Sequence, residues 1–127
     1  MDKATILIVE DNPVNIQALV SILHQHYQIK CAKNLQDARK LLDSSLDLIL
    51  LDLYLQDERS IDFISEVKQH ELFGNIPIVC VSASNEVTDI EEAFRSGALD
   101  YIIKPPNETI ILSKIRTLLD LRSKTAL

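Results

Sequence analysis

Residues 46–52 read LDLILLD, a short run rich in Leu and Ile that stops on an acid, Asp52. A run of this length, with no polar face, suits a strand covered by helices on both sides. Four similar runs lie at 5–9, 27–32, 76–81 and 101–103, and segments of helical period separate them. Those segments carry their own start and stop signals. Asn12-Pro13 places a capping side chain before a proline at the first helical position, ahead of the stripe Val14, Leu19, Val20, Leu23. Asn34 precedes Leu35, Ala38, Leu41 and Leu42, and Ser60 precedes Ile61, Ile64 and Val67. Asn85 precedes Val87, Ile90, Ala93 and Phe94, and Gly97 stands where a left-handed helix terminator belongs. Pro105-Pro106-Asn107 opens a last helix carrying Ile111, Ile115, Leu118 and Leu119. Five βα units in succession predict an α/β fold, a doubly wound five-stranded parallel sheet with right-handed crossovers. A chain of 127 residues has room for one such domain.

Composition narrows the function. Hydrophobic residues make up 46% and charged residues 25% of the chain, as in a soluble globular domain. The formal net charge of −6 offers no electrostatic footprint for nucleic acid or an anionic membrane surface, so neither is an expected partner. No apolar run approaches the roughly 20 residues that span a bilayer, and MDKATILIVEDNP does not read as a signal peptide. Cys31 and Cys80 lack metal or redox spacing and read as buried, reduced thiols of a cytoplasmic protein.

In open α/β sheets, ligands bind beyond the carboxyl ends of the strands. Here those ends are Glu10-Asp11, Asp52, Ser82 and Lys104. Taken singly, each has a bland reading: a helix-entry acid, a hydroxyl satisfying backbone, an exposed lysine before proline. Their convergence on one rim does not. Carboxylates brought together repel one another unless a cation holds them. Lys104 supplies one positive charge, and a few oxygen ligands beside it suit Mg²⁺.

This order of residues, carried by ILIVEDN, LILLDLYL, IVCVSAS and DYIIKPP, resembles the response-regulator receiver domains of two-component signalling over essentially the whole chain. The resemblance implies a flavodoxin-like sheet of strand order 2-1-3-4-5, with the receiver domain over 1–122 and 123–127 as a C-terminal tail open to being the start of a linker to an output domain; the polar residues from Arg122 to Leu127 themselves read as a frayed end. It implies that Asp52 is the phosphoryl acceptor and that Mg²⁺ or Mn²⁺ is held by Asp11, Asp52 and the backbone carbonyl of Tyr54, with Glu10 acting through water. Lys104 would pair with the carboxylate and then with phosphoryl oxygens, Ser82 would bond a phosphoryl oxygen, Tyr101 would move inward with Ser82, and Lys104–Pro105 would be cis. The donor implied is a sensor histidine kinase or a histidine phosphotransfer protein, recognised around 14–23 and Pro105-Pro106. The product is a signalling switch rather than an enzyme with a separate substrate. Its output is left open between homodimerisation through the fourth helix, fifth strand and fifth helix, docking on another protein, and control of a further domain.

Some positions depart from the pattern. Gln56 and Ser60 stand where the family often has Pro and Gly, and the charged stretch Gln56-Asp57-Glu58-Arg59 lacks glycine's backbone freedom. Tyr54 lies beside the acceptor and is expected to shield an acyl phosphate from water. Other residues carry plain readings: His24 and His26, two apart on a helix, form no metal pair, His70 is surface, and Asp89, Glu91 and Glu92 form a solvated helix face. Leu121 extends the apolar stripe of the last helix. Three rivals are disfavoured. A haloacid-dehalogenase-like phosphatase needs a second Asp where Tyr54 stands, and a flavodoxin-like cofactor module needs a phosphate loop where Glu10-Asp11 would repel it. A docking module that never takes phosphate has no use for the full set of rim residues.

Overall fold

The computed structural model describes residues 3–125. The strands β1 (Thr5–Val9), β2 (Gln28–Ala32), β3 (Leu48–Leu51), β4 (Ile78–Ser82) and β5 (Asp100–Ile103) form one sheet in the order β2-β1-β3-β4-β5, every pair parallel. The helices are α1 (Pro13–Leu23), α2 (Leu35–Leu41), α3 (Ile61–Lys68), α4 (Val87–Ser96) and α5 (Glu108–Thr125). Alternation along the central strands builds two cores. Ile6 and Ile8 of β1, with Leu48, Leu50, Val79 and Val81, pack against α1 and α5. Leu7 and Val9, with Ile49, Leu51, Ile78 and Cys80, pack against α2, α3 and α4. Covering both faces is what a parallel sheet demands, and it explains why these runs lack a polar side. The chain passes from β1 outward to β2 and returns to the other side of β1 as β3, so the crevice of a topological switch point opens between the ends of β1 and β3.

Several local expectations are corrected. The stretch after Asp52 is a small antiparallel ribbon, Tyr54–Leu55 paired with Glu58–Arg59. α4 begins at Val87 after Glu86, with no side-chain cap, so Asn85 does not start it. α1 ends at Leu23, which leaves His24 and His26 in the turn that follows. Val14, Val87 and Phe94 are exposed and stand outside the stripes assigned to them, and so does Leu121 on α5. Cys31 is exposed because β2 is an outer strand, whereas Cys80 on β4 is fully buried. Burial pushes the Cys80 thiol up to about 12. The frayed tail expected from 122 onward is helical to Thr125, with residues 126–127 outside the described part. Arg122 ties this end of α5 to the base of the sheet, donating to the carbonyls of Leu46 and Asp47 and to Asp47 Oδ1 at 3.0 Å.

Three N-cap assignments hold. Asn12 accepts from the N–H groups of Val14 and Asn15, Asn34 from that of Asp37, and Asn107 from that of Ile110. Gly97 has φ +123°, and a Cβ there would come 2.6 Å from Lys68 Cγ. The stem of Lys68 therefore lies over the end of α4, while its ammonium donates to the carbonyls of Gly74 and Ile76. Among the described residues no helix is long and apolar enough to cross a membrane.

Candidate functional site

Glu10 and Asp11 leave the end of β1, Asp52 the end of β3, Ser82 closes β4, and Lys104 follows β5. Together with Tyr54, Ser84 and Pro105 they line one open cleft of about 650 Å³. Glu10 is 2% exposed and Asp52 8%. Acids so covered need donors, and the structure supplies them. Lys104 Nζ donates to Glu10 Oε1 and, at 2.9 Å, to Asp52 Oδ2. Glu10 Oε2 accepts the N–H groups of Asp11 and Asn12, Asp52 Oδ1 accepts that of Tyr54, and Asp11 Oδ2 accepts that of Gln56. Burial raises the Glu10 carboxyl above its ordinary range, against the opposing pull of Lys104. For Lys104, burial alone would depress the ammonium, but its bonds to Glu10 and Asp52 outweigh it and the net shift is upward.

One oxygen from each of Glu10, Asp11 and Asp52 lies within 4.8 Å of the others, and these three form the group that could hold a metal ion among the described residues. With all three ionised, the single ammonium leaves a net charge of −2 in the cleft. An all-oxygen donor set with that imbalance fits a hard divalent cation. Ser60 N–H donates to the Leu53 carbonyl, which makes 53:60 the bonded pair and Tyr54:Arg59 the non-bonded one. The N–H and C=O of Tyr54 therefore both face away from Arg59, and the N–H reaches Asp52.

The remaining predicted residues sit close by. Ser82 is 1% exposed, and its Oγ accepts the N–H of Ser84. Tyr101 is half-buried and does not line the cleft; its hydroxyl donates to the Ser84 carbonyl at 2.9 Å. Burial pushes the Tyr101 phenol up. The Lys104–Pro105 peptide is cis.

Residues 6–116 match the response regulator receiver domain family. This chain is a receiver domain. Over its whole length it is 32% identical to a probable cyclic di-GMP phosphodiesterase of Vibrio cholerae, covering 29% of that protein. It is 36% identical to the transcriptional regulatory protein KdpE of Staphylococcus aureus over 91% of this chain and 50% of that one. The chain thus spans half or less of the length of these curated relatives. Among solved structures, the receiver domain of a sensor histidine kinase from Pseudomonas aeruginosa superposes with a TM-score of 0.83 at 25% identity, over 93% of this chain and 98% of that one. That protein carries a magnesium ion coordinated in its active-site cleft.

Three participants around this receiver cleft escape a sequence reading. Asp89, expected on a solvated helix face, is 8% exposed and accepts from Tyr54 Oη, Ser84 Oγ and Arg59. The bonds from Ser84 and then Tyr54 hold its carboxyl below the usual range. Ser60 is wholly buried; it does stand at the start of α3, but its hydroxyl donates to the Asp52 carbonyl and braces the acceptor backbone rather than capping the helix. Glu58 accepts the N–H of Leu35 and so caps α2 from a distance. No local signal marks any of these, since each depends on a partner brought near only by the fold.

Proposed function

We propose that Asp52 accepts a phosphoryl group from a sensor histidine kinase or a histidine phosphotransfer protein, and that this receiver domain, over 1–122, works as a switch in cytoplasmic two-component signalling. The observation that carries the reading is the 2.9 Å contact of Lys104 Nζ with Asp52 Oδ2, inside a cluster of three acids set to share one cation. Transfer forms an O–P bond to an Asp52 oxygen as the P–N bond to the donor imidazole breaks, the nitrogen keeping the electron pair. Both reactants are anionic, so the protein contributes chiefly position and positive charge. Asp11, Asp52 and the Tyr54 carbonyl, with Glu10 through a water, would hold Mg²⁺ (or Mn²⁺), which would supply charge to neutralise phosphoryl oxygens. Lys104 moves its ammonium from the carboxylate to a phosphoryl oxygen, and the Ser82 hydroxyl donates to another. Tyr101 follows Ser82, since the Ser84 backbone links them.

The added charge, about −1.5 to −2, acts locally and is read at the surface of α4, β5 and α5. Val87, Phe94, Ile103 and Ile110 are exposed on those elements and supply an apolar face for a second copy, an output domain or an effector. The test is intact mass after incubation with acetyl phosphate and Mg²⁺. One labile phosphoryl group should be gained, and none in Asp52→Asn; an unchanged mass, or a gain that survives Asp52→Asn, refutes the reading.

A further inference from the structure

The chemistry above makes no use of Asp89, an acid in the first turn of α4 that is as covered as Asp52 itself. Its two oxygens are fully subscribed. Tyr54 Oη lies 2.9 Å from both, Ser84 Oγ 2.6 Å from Oδ2, and Arg59 NH2 3.0 Å from Oδ1. Two of these donors, Tyr54 and Ser84, line the acceptor cleft. The third, Arg59, also bonds Glu92 and stacks its guanidinium 5.5 Å from the centre of the Tyr54 ring.

We infer that Asp89 is a positioning residue, which fixes the Tyr54 ring as a wall of the cleft and so limits the approach of water to phosphorylated Asp52. This rests on Asp52 being the acceptor. Tyr54 is 47% exposed, and a tyrosine that open would change rotamer on the picosecond-to-nanosecond scale without an anchor. Here it has three attachments. Its N–H holds Asp52 Oδ1, its ring face meets Arg59, and its hydroxyl is bound by Asp89. Of these, the Asp89 contact fixes the far end of the ring, whose displacement would open the cleft most. Arg59 reaches the ring while itself tied to Asp89 and Glu92, so the carboxylate organises both restraints. Hydrolysis needs a water to reach phosphorus opposite the Asp52 oxygen. A fixed aromatic wall removes part of the solid angle through which it arrives.

The test uses the full chain, phosphorylated with acetyl phosphate and Mg²⁺, freed of donor, and followed by intact mass as the phosphoryl group decays. Asp89→Ala and Tyr54→Phe should each shorten the half-life by about three- to tenfold, the kinetic equivalent of losing one hydrogen bond worth roughly 0.7–1.4 kcal/mol. Because both act through one contact, the double variant should decay no faster than the faster single. Asp89→Asn, which keeps an acceptor oxygen, should restore part of the lifetime, whereas general loosening of α4 would not distinguish Asn from Ala in this way. A wild-type decay rate in Asp89→Ala, or effects that multiply in the double variant, overturns the assignment. Should Asp89→Ala not fold, Tyr54→Phe decides alone: an unchanged half-life refutes the proposal. A wild-type chain that takes no phosphoryl group sinks the acceptor reading and this one together, while normal labelling with variant-independent decay sinks only the role of Asp89.

Discussion

Replacing Lys104 by Met keeps the stem of the side chain and deletes its charge. The side chains of Lys104, Glu10 and Asp52 are 13%, 2% and 10% exposed, so the ion pairs are largely screened from solvent. Removing one partner of a buried pair costs about 3–5 kcal/mol, and a cleft open to water on one side reduces this to roughly 2–3 kcal/mol. The deficit should depend on the divalent ion. Deleting the ammonium takes the cleft from −2 to −3, so Mg²⁺ should bind more tightly and stabilise the variant more than the wild type. A tenfold gain in affinity returns about 1.4 kcal/mol at saturation. It should also depend on pH. Glu10 already titrates above its ordinary range, and without Lys104 it rises further. A carboxyl whose folded pKa exceeds its unfolded value binds more protons when folded, so stability falls as pH rises through that interval. The deficit should therefore shrink on acidification from neutrality toward about pH 5. In the wild type Lys104 acts with the same sign in a higher pH window: its raised pKa gives stability that is full below about 10.4 and lost as pH rises through the folded value. Urea unfolding midpoints, measured with a chelator and with millimolar MgCl₂, read all of this. A variant as stable as wild type in chelator, or one that Mg²⁺ stabilises no more than wild type, refutes the charge balance described here.

Gly97→Ala places a Cβ at φ +123° and 2.6 Å from Lys68 Cγ. The lysine stem can yield but the backbone conformation cannot, so a loss of about 1–2 kcal/mol is expected in the urea midpoint, and no loss would contradict the assignment. Cys31 should alkylate in the native protein and Cys80 only on unfolding. With the folded Cys80 thiol up at about 12, an unfolded chain ionising near 8.5 should make stability fall with pH above that point, by up to about 1.4 kcal/mol per unit. Cys80→Ala should remove this slope, and an unaltered slope would show that another group causes it.

What was legible in the sequence was whatever local pattern dictates. The strand runs, the caps at Asn12, Asn34 and Asn107, and the acids, hydroxyl and lysine at the strand ends all follow from periodicity, from capping chemistry and from the rule that such ends share a rim. Run ends were less sharp, since Leu46 and Ile76 are buried without belonging to a strand. The failures have one physical origin, the dependence of a side chain's environment on distant partners. Asp89 resembles any helix-entry acid until Tyr54 and Arg59 arrive from more than 29 positions away. Cys31 looks interior until β2 proves to be an outer strand with no neighbour beyond it. Ser60 suggests a cap because its hydroxyl's true acceptor, the Asp52 carbonyl, is eight residues back across a ribbon that no turn residue announces.

That ribbon has an implication for anyone recombining receivers. Through Gln56 it holds Asp11, through Glu58 it closes the start of α2, and through Tyr54 and Arg59 it reaches α4. A chimera that imported residues 54–59 alone would deliver a phenol and a guanidinium with no carboxylate to receive them. The segments 54–59 and 84–92 form one heritable unit, and shuffling libraries should cut the chain outside both.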